Sequence, residues 1–136
     1  MPLGYPIMPS EVPCIALVDG DPAIRRARQL MLRAEQFDVR AYPTCRGLLD
    51  DPAALRCTCV VADAEMGEDT GVQLLRDMRA RGWKGEAILL ADALPIAFTA
   101  AANDGDFVAM VPKTLGDRAL LEAVRSAIRR TCGRRA

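Results

Sequence analysis

The segment Cys59-Val-Val-Ala-Asp-Ala-Glu-Met-Gly-Glu-Asp-Thr-Gly71 decides how the rest of the chain is read. An apolar run ends in a single carboxylate, Asp63, and passes into a loop that carries Met66 and Gly71. Two other apolar runs end in the same way. Ile15-Ala-Leu-Val18 leads into Asp19-Gly-Asp21, and Phe107-Val-Ala-Met-Val111 is followed closely by Lys113. Short continuous apolar runs are the pattern of strands buried on both faces. Charged groups at the ends of such strands are costly to place unless they meet one another, a metal or a ligand. The chemistry of the chain is therefore expected there.

Working outward, strands are expected at 14–18, 37–42, 57–62, 86–91 and 107–111. Between them the apolar spacing is helical. Pro22 to about Gln36 places Ile24, Ala27, Met31 and Ala34 on one face and arginines on the other, with Asp21 as N-cap and Pro22 at the first helical position. Thr44 caps a helix to about Asp50, with a further turn over Pro52 to Leu55. Gly71 to Arg81 turns Val72, Leu75 and Met78 inward and closes near Gly82. Pro95 to Asn103 is a weaker, Ala-rich helix, and Leu115 to about Arg130 turns Leu120, Leu121, Val124 and Ile128 inward. Five strands alternating with five helices imply an α/β fold: a doubly wound (βα)5 unit around a five-stranded parallel sheet. Its functional crevice lies at the carboxyl ends of the strands, where Asp19, Gly20, Asp21, Asp63, Ala91, Asp92 and Lys113 fall.

With 136 residues and a 51% hydrophobic fraction, the chain is read as one globular domain. The expected organisation is an irregular arm over 1–13, a domain over 14–131 and a basic tail over 132–136. Lysine plus arginine and aspartate plus glutamate both number 18, so no global charge draws it to nucleic acid or membrane. The five arginines of Arg125 to Arg135 read as a solvated helix end, with a docking surface as the alternative. Five Cys, no His and no signal sequence predict cytosolic thiols and a cytoplasmic protein. Cys14, Cys57 and Cys59 could meet at the sheet edge opposite the crevice, although buried cysteines ordinarily act as small hydrophobes. Trp83 is expected to be a cap packed on the surface.

From Ile15 to Arg130 the chain resembles a response-regulator receiver domain, the phosphoacceptor module of two-component signalling. The resemblance rests on Asp63-x-x-Met66-x-x-x-x-Gly71, Leu17-Val-Asp19, Val111-Pro-Lys113 and Ala119-Leu-Leu-Glu-Ala-Val124. It implies a flavodoxin/CheY-like sheet with strand order 2-1-3-4-5. It implies that Asp63 takes a phosphoryl group from a sensor histidine kinase or phosphotransfer protein, and that Lys113 neutralises phosphoryl oxygen. It further implies Mg²⁺ held by Asp63, Asp19 and the Glu65 backbone carbonyl, with Asp21 able to reach in. A downstream protein partner and a homodimer are expected, and nucleic acid and membrane partners are not. No output domain is expected beyond Arg130.

The chain also departs from the family pattern. Gly20 stands where a metal-binding carboxylate is expected, which should weaken Mg²⁺. Ala91 stands where a Thr or Ser ends the fourth strand, and Met110 where an aromatic partner lies. Asp92 replaces a small neutral residue, while Gly67 and Thr114 replace prolines. These changes leave an alternative, a receiver that binds partners without phosphorylation. An enzyme is not expected; the remote alternative is a haloacid dehalogenase-like phosphatase using Asp19.

Overall fold

The computed structural model describes residues 12–63, 65–66, 69–91 and 108–135. The elements are β1 (Cys14–Val18), α1 (Pro22–Ala34), β2 (Asp38–Tyr42), α2 (Cys45–Leu49), β3 (Cys59–Asp63), β4 (Glu65–Met66), β5 (Asp69–Thr70), α3 (Gly71–Ala80), β6 (Glu86–Ala91), β7 (Val108–Pro112) and α4 (Gly116–Arg135). The main sheet has the order β2-β1-β3-β6-β7, and every pairing in it is parallel. This is the expected 2-1-3-4-5 order. The expected helix over 95–103, the arm up to Glu11 and Asp92 lie outside the described residues.

The period-two alternation of strand side chains divides the core into two layers. Ala16, Val18, Val60, Ala62 and Leu89 face α2 and α3, where Leu48, Leu74, Leu75 and Met78 pack on them. Ile15, Leu17, Val61, Ile88 and Leu90 face the other way, against Leu32 of α1 and Leu120, Val124 and Ala127 of α4. With helices on both faces, the inner strands β1, β3 and β6 read as nearly continuous apolar runs, while the edge strand β2 alternates Asp38 and Arg40 with Val39 and Ala41.

Element ends differ from the sequence expectation for local reasons. α1 stops at Ala34, because Gln36 adopts a left-handed φ of 74°. β3 starts at Cys59, because Cys57 still closes the short 3-10 turn over Pro52–Arg56. α4 runs on to Arg135, so the last basic residues continue the helix. A two-residue antiparallel pair, β4 with β5, follows β3 and was not anticipated.

Four expectations need larger correction. The inward face of α1 is not the Ile24 face: Ile24 is 43% exposed and Leu32 is fully buried. Arg25 and Arg28, which stand in step with Leu32, are part-buried instead. Trp83 is buried rather than a surface cap; its Nε1 donates to the Cys57 carbonyl at 2.7 Å, and the Arg79 guanidinium lies over its ring. The cysteines are not all thiols, since Cys14 and Cys57 are joined as a disulfide with Cα atoms 4.6 Å apart. Cys59 points into the opposite core layer, away from that pair, and burial pushes its thiol pKa strongly upward. Lastly, two arginines of the α4 run are paired rather than only solvated: Arg125 bonds Glu35, and Arg130 grips the buried Glu86.

Tyr42, at the end of β2, donates to Asp51 Oδ2 at 2.6 Å. Burial first, and then the bond and charge of Asp51, push its phenol up to about 12. A raised folded-state pKa stabilises the fold fully below the unfolded value of 10.0, and this contribution fades as pH rises through about 12. Titration at the tyrosinate absorption band in a Tyr5→Phe background should therefore show one phenol ionising near 12. Asp51→Ala should move it only part of the way back, because burial is the larger cause.

Candidate active site

Asp19 directly follows β1 and Asp63 is the last residue of β3. The register pairs Val18 with Ala62, so the two carboxylates emerge side by side at the carboxyl edge of the sheet. Ala91 ends β6, and Lys113 follows β7 in the same edge. The sheet therefore gathers Asp19, Asp63 and Lys113 from stretches almost a hundred residues apart in sequence.

Asp63 and Lys113 meet. Nζ lies 2.5 Å from Oδ2, with the side chains 32% and 18% exposed for Lys113 and Asp63. Since β6 lies between β3 and β7, the lysine reaches across the strand that ends in Ala91. The small alanine leaves that crossing unobstructed but adds no hydroxyl to it. Glu65 sits in β4, paired with Thr70, two residues beyond Asp63.

Asp19 is fully engaged. Its Oδ1 accepts the Asp21 backbone N–H at 2.9 Å, and its Oδ2 meets Arg28 Nη1 at 2.5 Å. Its carbonyl accepts Arg25 Nη1 at 2.9 Å. Asp21 Oδ1 accepts the N–H groups of Ala23 and Ile24, so the carboxylate caps α1. Gly20 contributes no carboxylate, and a Cβ there would meet only the Pro43 carbonyl, at 4.0 Å.

Arg25 and Arg28 are site residues that the sequence reading placed on the solvent side. A signal was available. α1 starts at the crevice, and a helix rises 1.5 Å per residue, so Arg28 lies only about 9 Å along it. An arginine that near can fold back to a strand-end carboxylate. Arg28 and Lys113 also line one small cavity of about 40 Å³, together with Leu90, Val111, Asp117 and Leu120.

The residues do not fit Mg²⁺. The ion favours oxygen ligands in near-octahedral array, usually including one or two carboxylates. Here the two carboxylates that would ligate the ion, Asp19 and Asp63, are already paired with Arg28 and Lys113. Among the described residues, no three acidic, Cys or His side chains lie where one metal ion could be shared.

A cavity of about 680 Å³ lies elsewhere, lined by Arg56, Cys57, Thr58, Trp83, Lys84 and Gly85 among others. It holds none of the crevice carboxylates, and its size alone does not make it the site of chemistry. No helix among the described residues is long and apolar enough to cross a membrane.

Comparison with known proteins gives a consistent result. The family model described as the response regulator receiver domain matches residues 15–125. The transcriptional regulatory protein FixJ of Azorhizobium caulinodans is 25% identical over 124 residues, covering 91% of this chain and 58% of the relative. The transcriptional regulatory protein TdiR of Thauera aromatica is 29% identical over 125 residues, covering 84% of this chain and 50% of the relative. The chain thus spans a little over half the length of these relatives. Among solved structures, a CheY-like receiver domain protein from Methanospirillum hungatei superposes with a TM-score of 0.77 at 16% identity, covering 91% of this chain and 99% of that one. The signal receiver domain of an HD domain-containing protein from Pseudomonas fluorescens gives 0.78 at 22%, covering 90% and 99%. At such identities the structural likeness speaks for the fold.

Proposed function

The chain belongs to the response regulator receiver domain family, and from that premise we propose that Asp63 is its phosphoacceptor and Lys113 the cation that receives the incoming charge. Receiver domains are signalling modules of two-component systems, and they typically bind Mg²⁺. The observation that carries the proposal is the 2.5 Å Asp63–Lys113 pair at the carboxyl edge of the sheet. Phosphoryl transfer needs little from a protein beyond positioning and neutralisation of spread negative charge. An Asp63 oxygen attacks phosphorus, the bond to the donor nitrogen of a phosphohistidine or to an acyl oxygen breaks, and the donor leaves with that electron pair. Lys113 then exchanges its carboxylate partner for phosphoryl oxygen. The donor is a sensor histidine kinase or phosphotransfer protein, the setting is cytoplasmic, and the output passes to a protein partner or a second copy of the chain.

Incubation with acetyl phosphate, with and without Mg²⁺, should yield a single phosphoryl adduct by intact mass. Asp63→Asn should remove it. Absence of any adduct would sink the proposal. It would favour the second reading, a module that binds without phosphorylation, for which Ala91 at the end of β6 is the specific argument: no hydroxyl stands there to bind phosphoryl oxygen. The phosphatase alternative is disfavoured by the engagement of both Asp19 side-chain oxygens, which leaves no idle nucleophile.

A further inference from the structure

We propose that Arg28 is the resident cation of the acidic crevice and that it stands in the place of a divalent metal. The inference concerns the same crevice but does not require Asp63 to be phosphorylated.

Three independent features support it. The first is the orientation of α1. An amphipathic helix ordinarily turns its apolar residues inward and its arginines outward, yet Ile24 is 43% exposed and Leu30 51% exposed while Arg28 is only 17% exposed at its side chain. The helix is rotated so that arginine faces the crevice. The second is the contact itself. Arg28 Nη1 sits 2.5 Å from Asp19 Oδ2, and Arg25 adds a bond to the Asp19 carbonyl, so the residue is held by two neighbouring turns of one helix. The third is the gap at Gly20. A second carboxylate there would give the crevice a net negative charge, and a metal ion would offset it. Without that carboxylate, Arg28 pairs with Asp19 and Lys113 pairs with Asp63. Divalent binding would then require displacing a cation from a part-buried pair, and would bring the metal close to a guanidinium that cannot be deprotonated.

The experiment is a Mg²⁺ titration followed by the amide NMR signals of Asp19, Gly20 and Asp63. The wild-type chain should show no saturable shift at millimolar Mg²⁺. Arg28→Met should create saturable binding, tightened by about tenfold or more, since Asp19 Oδ2 is released from its guanidinium partner. Gly20→Asp has room for its side chain. Alone it should change affinity by less than about threefold, and combined with Arg28→Met by more than the two effects together, because the sites are neighbours. Arg28→Lys keeps the charge and should keep Mg²⁺ out, which separates charge from packing. Saturation of the wild-type chain below millimolar Mg²⁺ would overturn the proposal, as would an unchanged affinity in Arg28→Met. Should Arg28→Met fail to fold, the wild-type and Arg28→Lys titrations still decide. A phosphorylation assay enters none of these readings, so failure of Asp63 as phosphoacceptor would leave the result interpretable.

Discussion

Arg130→Ala is expected to destabilise the protein by about 3 kcal/mol, toward the lower end of the range for breaking a buried ion pair. Glu86 opens β6 and is 1% exposed. Both of its oxygens are held by one guanidinium, with Arg130 Nε at 2.9 and 3.1 Å and Nη2 at 2.7 Å. These three charge-assisted bonds fix the orientation of the pair. Removing the arginine takes the bidentate guanidinium away from a buried carboxylate, and the cost comes mostly from that lost charge pairing. The lower end of the range applies because the Arg130 side chain is 48% exposed and so partly solvated already. Urea unfolding should show the midpoint fall with the slope unchanged. Glu86→Leu combined with Arg130→Met should recover much of the loss, since the buried charge is removed together with the guanidinium that pairs it. An Arg130→Ala protein within about 0.5 kcal/mol of wild type, the scale of an ordinary surface change, would show the pair to be decorative.

That pair also shows where sequence reading stops. Periodicity and strand-end charges were enough for the alternation of strands and helices, and they put Asp63 and Lys113 at one sheet edge before any coordinates. The same pattern placed Asp19 there, and only the strand order came from the family resemblance. Two of the failures share one physical cause, charge pairing between different elements. Arg130 and Glu86 are 44 positions apart, and nothing in the α4 sequence distinguishes an arginine that reaches a buried acid from one that is solvated. The same holds for α1. Ile24, Ala27, Met31 and Ala34 recur with good helical spacing, but the helix follows Leu32, Arg25 and Arg28 because Asp19 supplies a partner that periodicity does not register. The sequence brings Cys14 and Cys57 to one sheet edge but not to a bond. Only the fold brings Cys14 and Cys57 to a Cα separation of 4.6 Å.

Lys113→Ala is expected to slow phosphorylation of Asp63 by acetyl phosphate about 100-fold, the scale for losing one preorganised positive or hydrogen-bond donor group in a transition state. Two effects compete. In the resting crevice Lys113 neutralises Asp63 at 2.5 Å, which restrains the nucleophile, so its removal should in part speed attack. The lysine side chain is 32% exposed, however, and a solvent-screened pair of this kind is worth at most about 1 kcal/mol. Against that stands the charge of the transferring phosphoryl group, whose loss of one cation costs on the order of 3 kcal/mol. The second term is larger, so the net change is a loss. The requirement for Lys113 is also sharpened by Ala91, because no hydroxyl at the end of β6 shares the phosphoryl oxygens. Lys113→Arg should keep much of the rate by retaining the charge, and Asp63→Asn should abolish the adduct whatever stands at 113. Stability separates the roles. If Lys113 served only to hold the crevice together, Lys113→Ala would lower the unfolding midpoint and leave the rate of the folded protein near wild type, and the assignment of Lys113 to phosphoryl neutralisation would be lost.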